Sequence, residues 1–179
     1  MFSITTVILA AGKSTRFKAT SSKLVYPLCG LPIISHVYAI AKKISGKKVV
    51  VVCNNDNINE LKSILKDCVF VIQNSQRGTA DAIEQAKNKI NSKNVLVLFG
   101  DTPLITLSSI KKLIKKFLSS KAKASLIAFR TQKPFGYGRL LTKNNVLEEI
   151  IEEINLNIYQ KKINLCNSGI LIAEKKILF

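Results

Sequence analysis

Long apolar runs are missing from this sequence. None approaches the roughly 20 residues needed to cross a bilayer, which argues against a membrane protein. The opening MFSITTVILAAG has no basic flank and only a short apolar stretch. It predicts a strand rather than a signal peptide, and with it a cytoplasmic location. Four cysteines (Cys29, Cys53, Cys68, Cys166) contain no CxxC pair, and His36 is the only histidine. This favours buried free thiols over a zinc site or disulfides, and a structural role for His36. Internal repeats and low-complexity linkers are absent as well. Acidic residues are few, 11 against 28 Lys and Arg, for a formal net charge of +17. Such a balance suits nucleic acid, an acidic surface or an anionic substrate. The lysines, however, come as scattered doublets such as Lys42-Lys43, Lys111-Lys112 and Lys115-Lys116, mostly on outer faces of predicted helices. No RRM, KH or zinc-finger pattern accompanies them. The reading is a solvated lysine surface with no specific nucleic-acid site.

What is present is an apolar, globular composition. About half the chain (47%) is hydrophobic, and 179 residues suffice for one domain with a full core. Strand-like runs cover Thr5–Leu9, Lys48–Cys53, Val69–Gln73, Val95–Phe99 and Ala124–Phe129. Helical patterns lie between them at Pro32–Ile44, Asn59–Lys66, Thr79–Ile90 and Leu107–Leu118. Alternation of this kind predicts βαβ units: an α/β fold, a mostly parallel mixed sheet with helices on both faces. After Phe129 the pattern changes to a hairpin (Arg139–Leu141 and Val146–Glu149). A polar helical stretch, a strand at Gly169–Ile172 and the start of a helix at Ala173–Phe179 follow.

Ligands in such sheets bind beyond the carboxyl ends of the strands. Four polar segments fall there. LAAGKSTRF (9–17) places small residues Ala10, Ala11 and Gly12 where phosphates can approach backbone N–H groups. Lys13, Arg16 and Lys23 add positive charge. It contains neither GxxxxGK[ST] nor GxGxxG, so it is neither a P-loop nor the usual dinucleotide fingerprint. QNSQRGTA (73–80) offers two amides, Gln73 and Gln76, suited to the edge of a flat base, with Gly78 and Thr79 at a helix start. FGDTPL (99–104) sets Asp101 just past a buried strand, a seat for a metal-binding carboxylate of the Mg²⁺ type. GYGR (136–139) is a tight turn opening the hairpin.

Together with CNSGI (166–170), these motifs resemble, in order and spacing, the sugar-nucleotide pyrophosphorylases. Over nearly all 179 residues the chain looks like the N-terminal uridylyltransferase part of the bifunctional enzymes that make UDP-N-acetylglucosamine. Sister families using dTTP or CTP share the first motif. The Gln-x-x-Gln-x-Gly-Thr segment joined to GDTPL and GYGR discriminates.

The resemblance implies a Rossmann-like nucleotidyltransferase fold over residues 1–179, transfer of uridylyl from UTP to N-acetylglucosamine 1-phosphate, and Mg²⁺ as cofactor. It implies that Leu9, Ala10, Ala11 and Gly12 wrap the nucleotide, and that Arg16 and Lys23 neutralise the triphosphate. Gln73 and Gln76 would read uracil, with Gly78 nearby. Thr79, Gly138, Glu152 and Asn167 would hold the sugar, and Asp101 the metal. A related transferase with another nucleotide, or a nucleotide-sugar binding module without catalysis, are the competing readings.

Three positions depart from the family. Ser14 replaces a usual glycine, at a cost of roughly 1 kcal/mol if the loop needs φ > 0 there. Phe17 replaces a common methionine. Ser22 replaces the proline before Lys23, which predicts a less rigid loop. The apolar Ile-Leu-Phe ending predicts a domain incomplete at its C-terminal end. By resemblance, a second metal ligand, further sugar contacts and a trimer-forming, acetylating β-helix would lie beyond Phe179. The expectation for these 179 residues alone is a monomer with weak or absent turnover.

Overall fold

The computed structural model describes residues 3–12, 21–75, 77–144 and 146–179. In chain order the elements are β1 (Ile4–Leu9), β2 (Pro27–Leu28), β3 (Leu31–Pro32), α1 (Ile33–Ser45), β4 (Val49–Cys53), α2 (Ile58–Ile64), β5 (Val69–Ile72) and α3 (Thr79–Ala86). Then come β6 (Asn94–Phe99), α4 (Leu107–Ser119), β7 (Ala124–Arg130), β8 (Arg139–Lys143), β9 (Val146–Ile151), β10 (Leu165–Glu174) and α5 (Lys175–Leu178). Two compact units result, residues 1–125 with 171–179, and residues 126–170. The chain passes between them within β7 and within β10.

In the first unit, β1 is ITTVIL, β-branched at all but its last position, and every residue is buried. That composition suits a strand covered on both faces. It pairs in parallel with β4 and β6, and β4 pairs in parallel with β5, giving the order β5-β4-β1-β6. Residues Leu171–Glu174 of β10 run antiparallel beside β6. On one face Val7, Leu9, Val50, Val52, Val95 and Val97 pack with Ala82, Ile83 and Ala86 of α3. Side chains alternate along a strand, so Thr6 points to the other face, where its Oγ1 meets Ser45 Oγ of α1 at 2.7 Å. Helices therefore cover both faces, as the alternating pattern predicts. Each buried Val or Leu contributes about 1.5–3 kcal/mol.

Several boundaries differ from the sequence expectation, for local reasons. Pro32 stands just outside α1, with ψ 139°, because it pairs with Pro27 in the β2–β3 ribbon. Cys29 and Gly30, both at positive φ (49° and 78°), form the turn of that ribbon. Two successive positive φ values are what the type I′ turn of a tight antiparallel hairpin requires. Gly46 ends α1 at φ 58°, its N–H bonded to the Lys42 carbonyl, as expected. α3 stops at Ala86 and continues as a 3-10 turn, Lys87–Lys89.

All four cysteines are free thiols. Cys53 and Cys166 are buried, but Cys29 is exposed in its turn, against the expectation of burial. His36 is structural: its Nε2 meets the Leu28 carbonyl at 2.8 Å, tying α1 to the ribbon. The α4 lysines all face solvent. Among the described residues, no helix is long and apolar enough to cross a membrane.

In the second unit, β8 and β9 form the expected hairpin, with Arg139 opposite Ile151 and an irregularity between Leu141 and Thr142. Cys166 of β10 pairs with Arg139. The polar helical stretch is two short 3-10 turns, Glu153–Asn155 and Gln160–Lys162.

Candidate active site

The carboxyl ends of β1, β5 and β6 converge in the first unit. At the end of β1 the Ala10 N–H still bonds the Val52 carbonyl at 2.7 Å. Beyond that the ladder stops, and two buried asparagines take over the carbonyls. Asn57 Nδ2 donates to the Ala10 carbonyl at 2.7 Å, and Asn54 Nδ2 to the Ala11 carbonyl at 3.0 Å. The asparagines also bond each other: Asn54 N–H to Asn57 Oδ1 at 3.0 Å, and Asn57 N–H to Asn54 Oδ1 at 2.9 Å. In a trans peptide the N–H points opposite to the carbonyl. Holding the Ala11 carbonyl therefore turns the Gly12 N–H away from the asparagines.

At the end of β5 the Gln73 N–H continues the ladder to the Cys53 carbonyl at 2.8 Å. Its side chain, buried, donates from Nε2 to Asp81 Oδ2 at 2.7 Å and to the Gly78 carbonyl at 3.3 Å. Gly78 starts α3 at φ 108°, a region that side chains avoid. The Asp81 carboxyl is held below the ordinary aspartate range, chiefly by the Gln73 hydrogen bond and then by Arg77, 3.1 Å away.

At the end of β6 the Gly100 N–H bonds the Leu9 carbonyl at 2.9 Å. A methyl at Gly100 would lie 3.3 Å from that carbonyl oxygen and 3.4 Å from Ile34 Cδ1. Thr102 closes the turn with its hydroxyl on the Phe99 carbonyl at 2.8 Å. Asp101 is thereby aimed at Lys23, which lies on a 3-10 turn, Lys23–Val25. Lys23 Nζ and Asp101 Oδ2 are 2.6 Å apart, each side chain a little over a third exposed. Ser22 caps this turn, its Oγ accepting from the Leu24 N–H at 3.4 Å. Its own N–H reaches Glu60 Oε2 at 3.4 Å, a tether proline could not supply.

These ends enclose a cavity of about 250 Å³. Leu9, Ala10, Ala11 and Gly12 line it from β1, Gln73, Gly78 and Thr79 from β5 and α3, and Lys23 and Asp101 close it. Every nucleotide-facing candidate among the described residues is thus in one place. Arg16 and Gln76 lie outside the described residues, as do Lys13, Ser14 and Phe17. Sequence reasoning did not single out Asn54, Asn57 or Asp81. The signal available was the polar run Asn54–Asn57 directly after a buried parallel strand.

Thr79 belongs to the first unit and the other sugar candidates to the second. There they do meet. The Asn167 N–H bonds the Gly138 carbonyl at 2.9 Å. A methyl at Gly138 would lie 3.4 Å from Glu152 Oε1, so this glycine keeps space beside the carboxylate. Arg139, fully buried, pairs with Glu153 Oε2 at 2.9 Å and donates to the Tyr137 carbonyl. That anchors the segment carrying Glu152.

Among the described residues no three His, Cys, Asp or Glu side chains gather as a metal cage. One carboxylate, Asp101, on the rim of this cavity fits Mg²⁺, which takes one or two carboxylates and keeps waters and substrate oxygens.

Residues 6–155 match the MobA-like NTP transferase domain family. The chain is 43% identical over 179 residues to the bifunctional protein GlmU of Buchnera aphidicola subsp. Schizaphis graminum, covering 98% of this chain and 38% of that protein. It is 37% identical over 182 residues to GlmU of Campylobacter fetus subsp. fetus, covering 99% and 41%. The chain thus spans about two fifths of the length of these curated relatives. In fold it is similar to a Bacillus anthracis structure assigned as a glucose-1-phosphate thymidylyltransferase (TM-score 0.86, 18% identity, 98% of this chain and 73% of that one). It is also similar to CMP:2-keto-3-deoxy-manno-octonic acid synthetase complexed with CTP (TM-score 0.76, 16% identity, 98% and 76%). With its sheet order, its cavity at the strand ends and this match over most of its length, the chain belongs to the family of MobA-like NTP transferase domains.

Proposed function

We propose that this chain transfers a uridylyl group from UTP to N-acetylglucosamine 1-phosphate, giving UDP-N-acetylglucosamine, a cell-wall precursor, and pyrophosphate. The observation that carries the reading is the meeting of Lys23 and Asp101, 78 positions apart in sequence, on the cavity formed by Ala10–Gly12 and Gln73. Likeness to the GlmU proteins over nearly the whole chain supports this reading, and the motif resemblance is what implies uridine and N-acetylglucosamine as the pair.

In this reading Leu9, Ala10, Ala11 and Gly12 wrap the nucleotide, with backbone N–H groups toward its phosphates. Gln73 and Gln76 meet the uracil edge beside Gly78. Arg16 and Lys23 neutralise the triphosphate. By the resemblance, Gly138, Glu152 and Asn167 are the second unit's candidates for holding the sugar, and Thr79 is the first unit's. A phosphate oxygen of the acceptor forms a bond to the α-phosphorus, and the bond to the departing pyrophosphate breaks, its electron pair leaving with the oxygen. No covalent enzyme intermediate is needed. Both reactants are anions, so the protein contributes alignment and fixed positive charge. Lys23 must exchange Asp101 for a phosphate oxygen. That frees Asp101 as the residue that would hold Mg²⁺. When bound, the ion would supply charge neutralisation across phosphate oxygens. The same reading places the activity in the cytoplasm.

The test is pyrophosphate release with UTP, dTTP or CTP and N-acetylglucosamine 1-phosphate, alongside equilibrium binding of the three nucleotides. UTP should lead in binding, and in any turnover the 179 residues support. Activity only with another nucleotide or acceptor would overturn the assignment.

A further inference from the structure

Gln73 is the one candidate base-reading side chain among the described residues, and it is 4% exposed. An amide carries two N–H donors on one end and an acceptor oxygen on the other. Both Nε2 hydrogens have takers: Asp81 Oδ2 at 2.7 Å and the Gly78 carbonyl at 3.3 Å. A carboxylate and a carbonyl can only accept, so the amide cannot be flipped without setting oxygen against oxygen twice. Asp81 is itself held in place. Its other oxygen, Oδ1, faces the Arg77 guanidinium at 3.1 Å. The depressed Asp81 pKa keeps it an acceptor throughout the neutral range.

We propose that Asp81 is a specificity-determining residue: it fixes the Gln73 amide so that Oε1 alone can meet the pyrimidine, opposite N3 of the base. Uracil and thymine carry a hydrogen on N3, which Oε1 accepts. Cytosine has a lone pair on N3, and two acceptors then oppose each other in a buried site. The inference rests on reading the cavity as a uridine-nucleotide site. Asp81 also stands in the first turn of α3, where an acid favours the helix N-terminus. That role alone requires no bond to Gln73 and would not select between bases.

The experiment is equilibrium binding of UTP, dTTP, CTP and 3-methyl-UTP to the wild type, Asp81→Asn and Asp81→Ala, with folding checked by circular dichroism. The wild type should favour UTP over CTP and bind 3-methyl-UTP at least about tenfold more weakly than UTP. In Asp81→Asn the partner amide can donate as well as accept, which removes the shorter of the two oxygen–oxygen conflicts and leaves only the 3.3 Å Gly78 carbonyl against a turned Gln73. The UTP-to-CTP preference should fall about tenfold or more there, and also fall in Asp81→Ala. A folded Asp81→Asn that keeps the wild-type preference overturns the proposal and leaves the uridine reading standing. A wild type that favours dTTP over UTP but rejects CTP, with the rejection lost in Asp81→Asn, supports the proposal and overturns UTP as substrate. A wild type that favours CTP overturns both. Should neither variant fold, the unaltered protein decides. Slow solvent exchange of the Gln73 side-chain NH₂ protons, seen by NMR, supports the fixed amide, and fast exchange overturns it.

Discussion

Asn57 Nδ2 holds the Ala10 carbonyl at 2.7 Å, and both residues are almost wholly buried. The segment leaving β1, proposed above to face phosphates, is therefore held from behind at Ala10 by a side chain on the neighbouring strand's exit. Asn57→Ala would leave the Ala10 carbonyl and the Asn54 N–H without these partners. The expected loss is roughly 1–3 kcal/mol for each stranded group, read from urea unfolding, together with weaker UTP binding. Asn57→Asp should also be destabilising, since a carboxylate cannot donate to the carbonyl. Unchanged stability and binding in both variants would remove this role.

Lys23 and Asp101 make the opposite case. Their pair is partly solvated, so Lys23→Met or Asp101→Asn should change stability by less than about 1 kcal/mol. Pyrophosphate release should nevertheless drop on the order of 10²–10³ relative to wild type, as for loss of one electrostatic stabiliser. Full turnover in Asp101→Asn would exclude the carboxylate from the chemistry.

Arg139 is fully buried in the second unit, with Glu153 as its counter-charge at 2.9 Å. Glu153→Ala leaves that guanidinium buried and uncompensated, an effect of about 3–5 kcal/mol. Removing both charges together, Arg139→Met with Glu153→Leu, should cost much less. Thermal and urea unfolding of the single and double variants measures the difference. Equal losses in the two would contradict the argument.

Alkaline pH should destabilise the first unit. Burial pushes the Tyr38 hydroxyl from 10.0 up to about 12, and raises the Cys53 and Cys68 thiols above 9.0. For these groups the folded state keeps its protons longer than the unfolded chain. Their contribution is complete below about pH 9 and lost as pH climbs toward 12. Melting temperature should therefore fall from pH 9 upward, less steeply in Tyr38→Phe. A thiol reagent at pH 8 should modify exposed Cys29 rapidly and buried Cys53 slowly. Uniform reactivity would argue against this burial pattern.

Much of this was legible before any coordinates. Lys48–Cys53 announces a strand buried on both faces, and Gly46 announces the end of α1. The motifs on either side of Gln73 and Asp101 fall where strand ends meet. Other features have no local signature. β10 extends over Leu165–Glu174, far beyond the Gly169–Ile172 run that suggests it. Gly169, where that run begins, adopts φ 77°. The local break is overridden because Asn167 Oδ1 accepts from the Gly169 N–H at 2.9 Å and the strand finds partners on both sides of it. Asn54–Asn57 looks like ordinary turn chemistry. Only the parallel pairing of β1 with β4 brings it beneath Ala10 and Ala11. Asp81 reads as a helix-start acid, and its bond to Gln73 spans a loop whose path the residues between do not dictate.

Gly100 carries a different kind of consequence. Its missing side chain lets the exit of β6 lie directly against the exit of β1, 3.3 Å being all the room a methyl would have before the Leu9 oxygen. Leu9 is pinned by strands on both sides and has little freedom to retreat. A single-carbon addition at position 100 would therefore push the turn that carries Asp101 away from the end of β1.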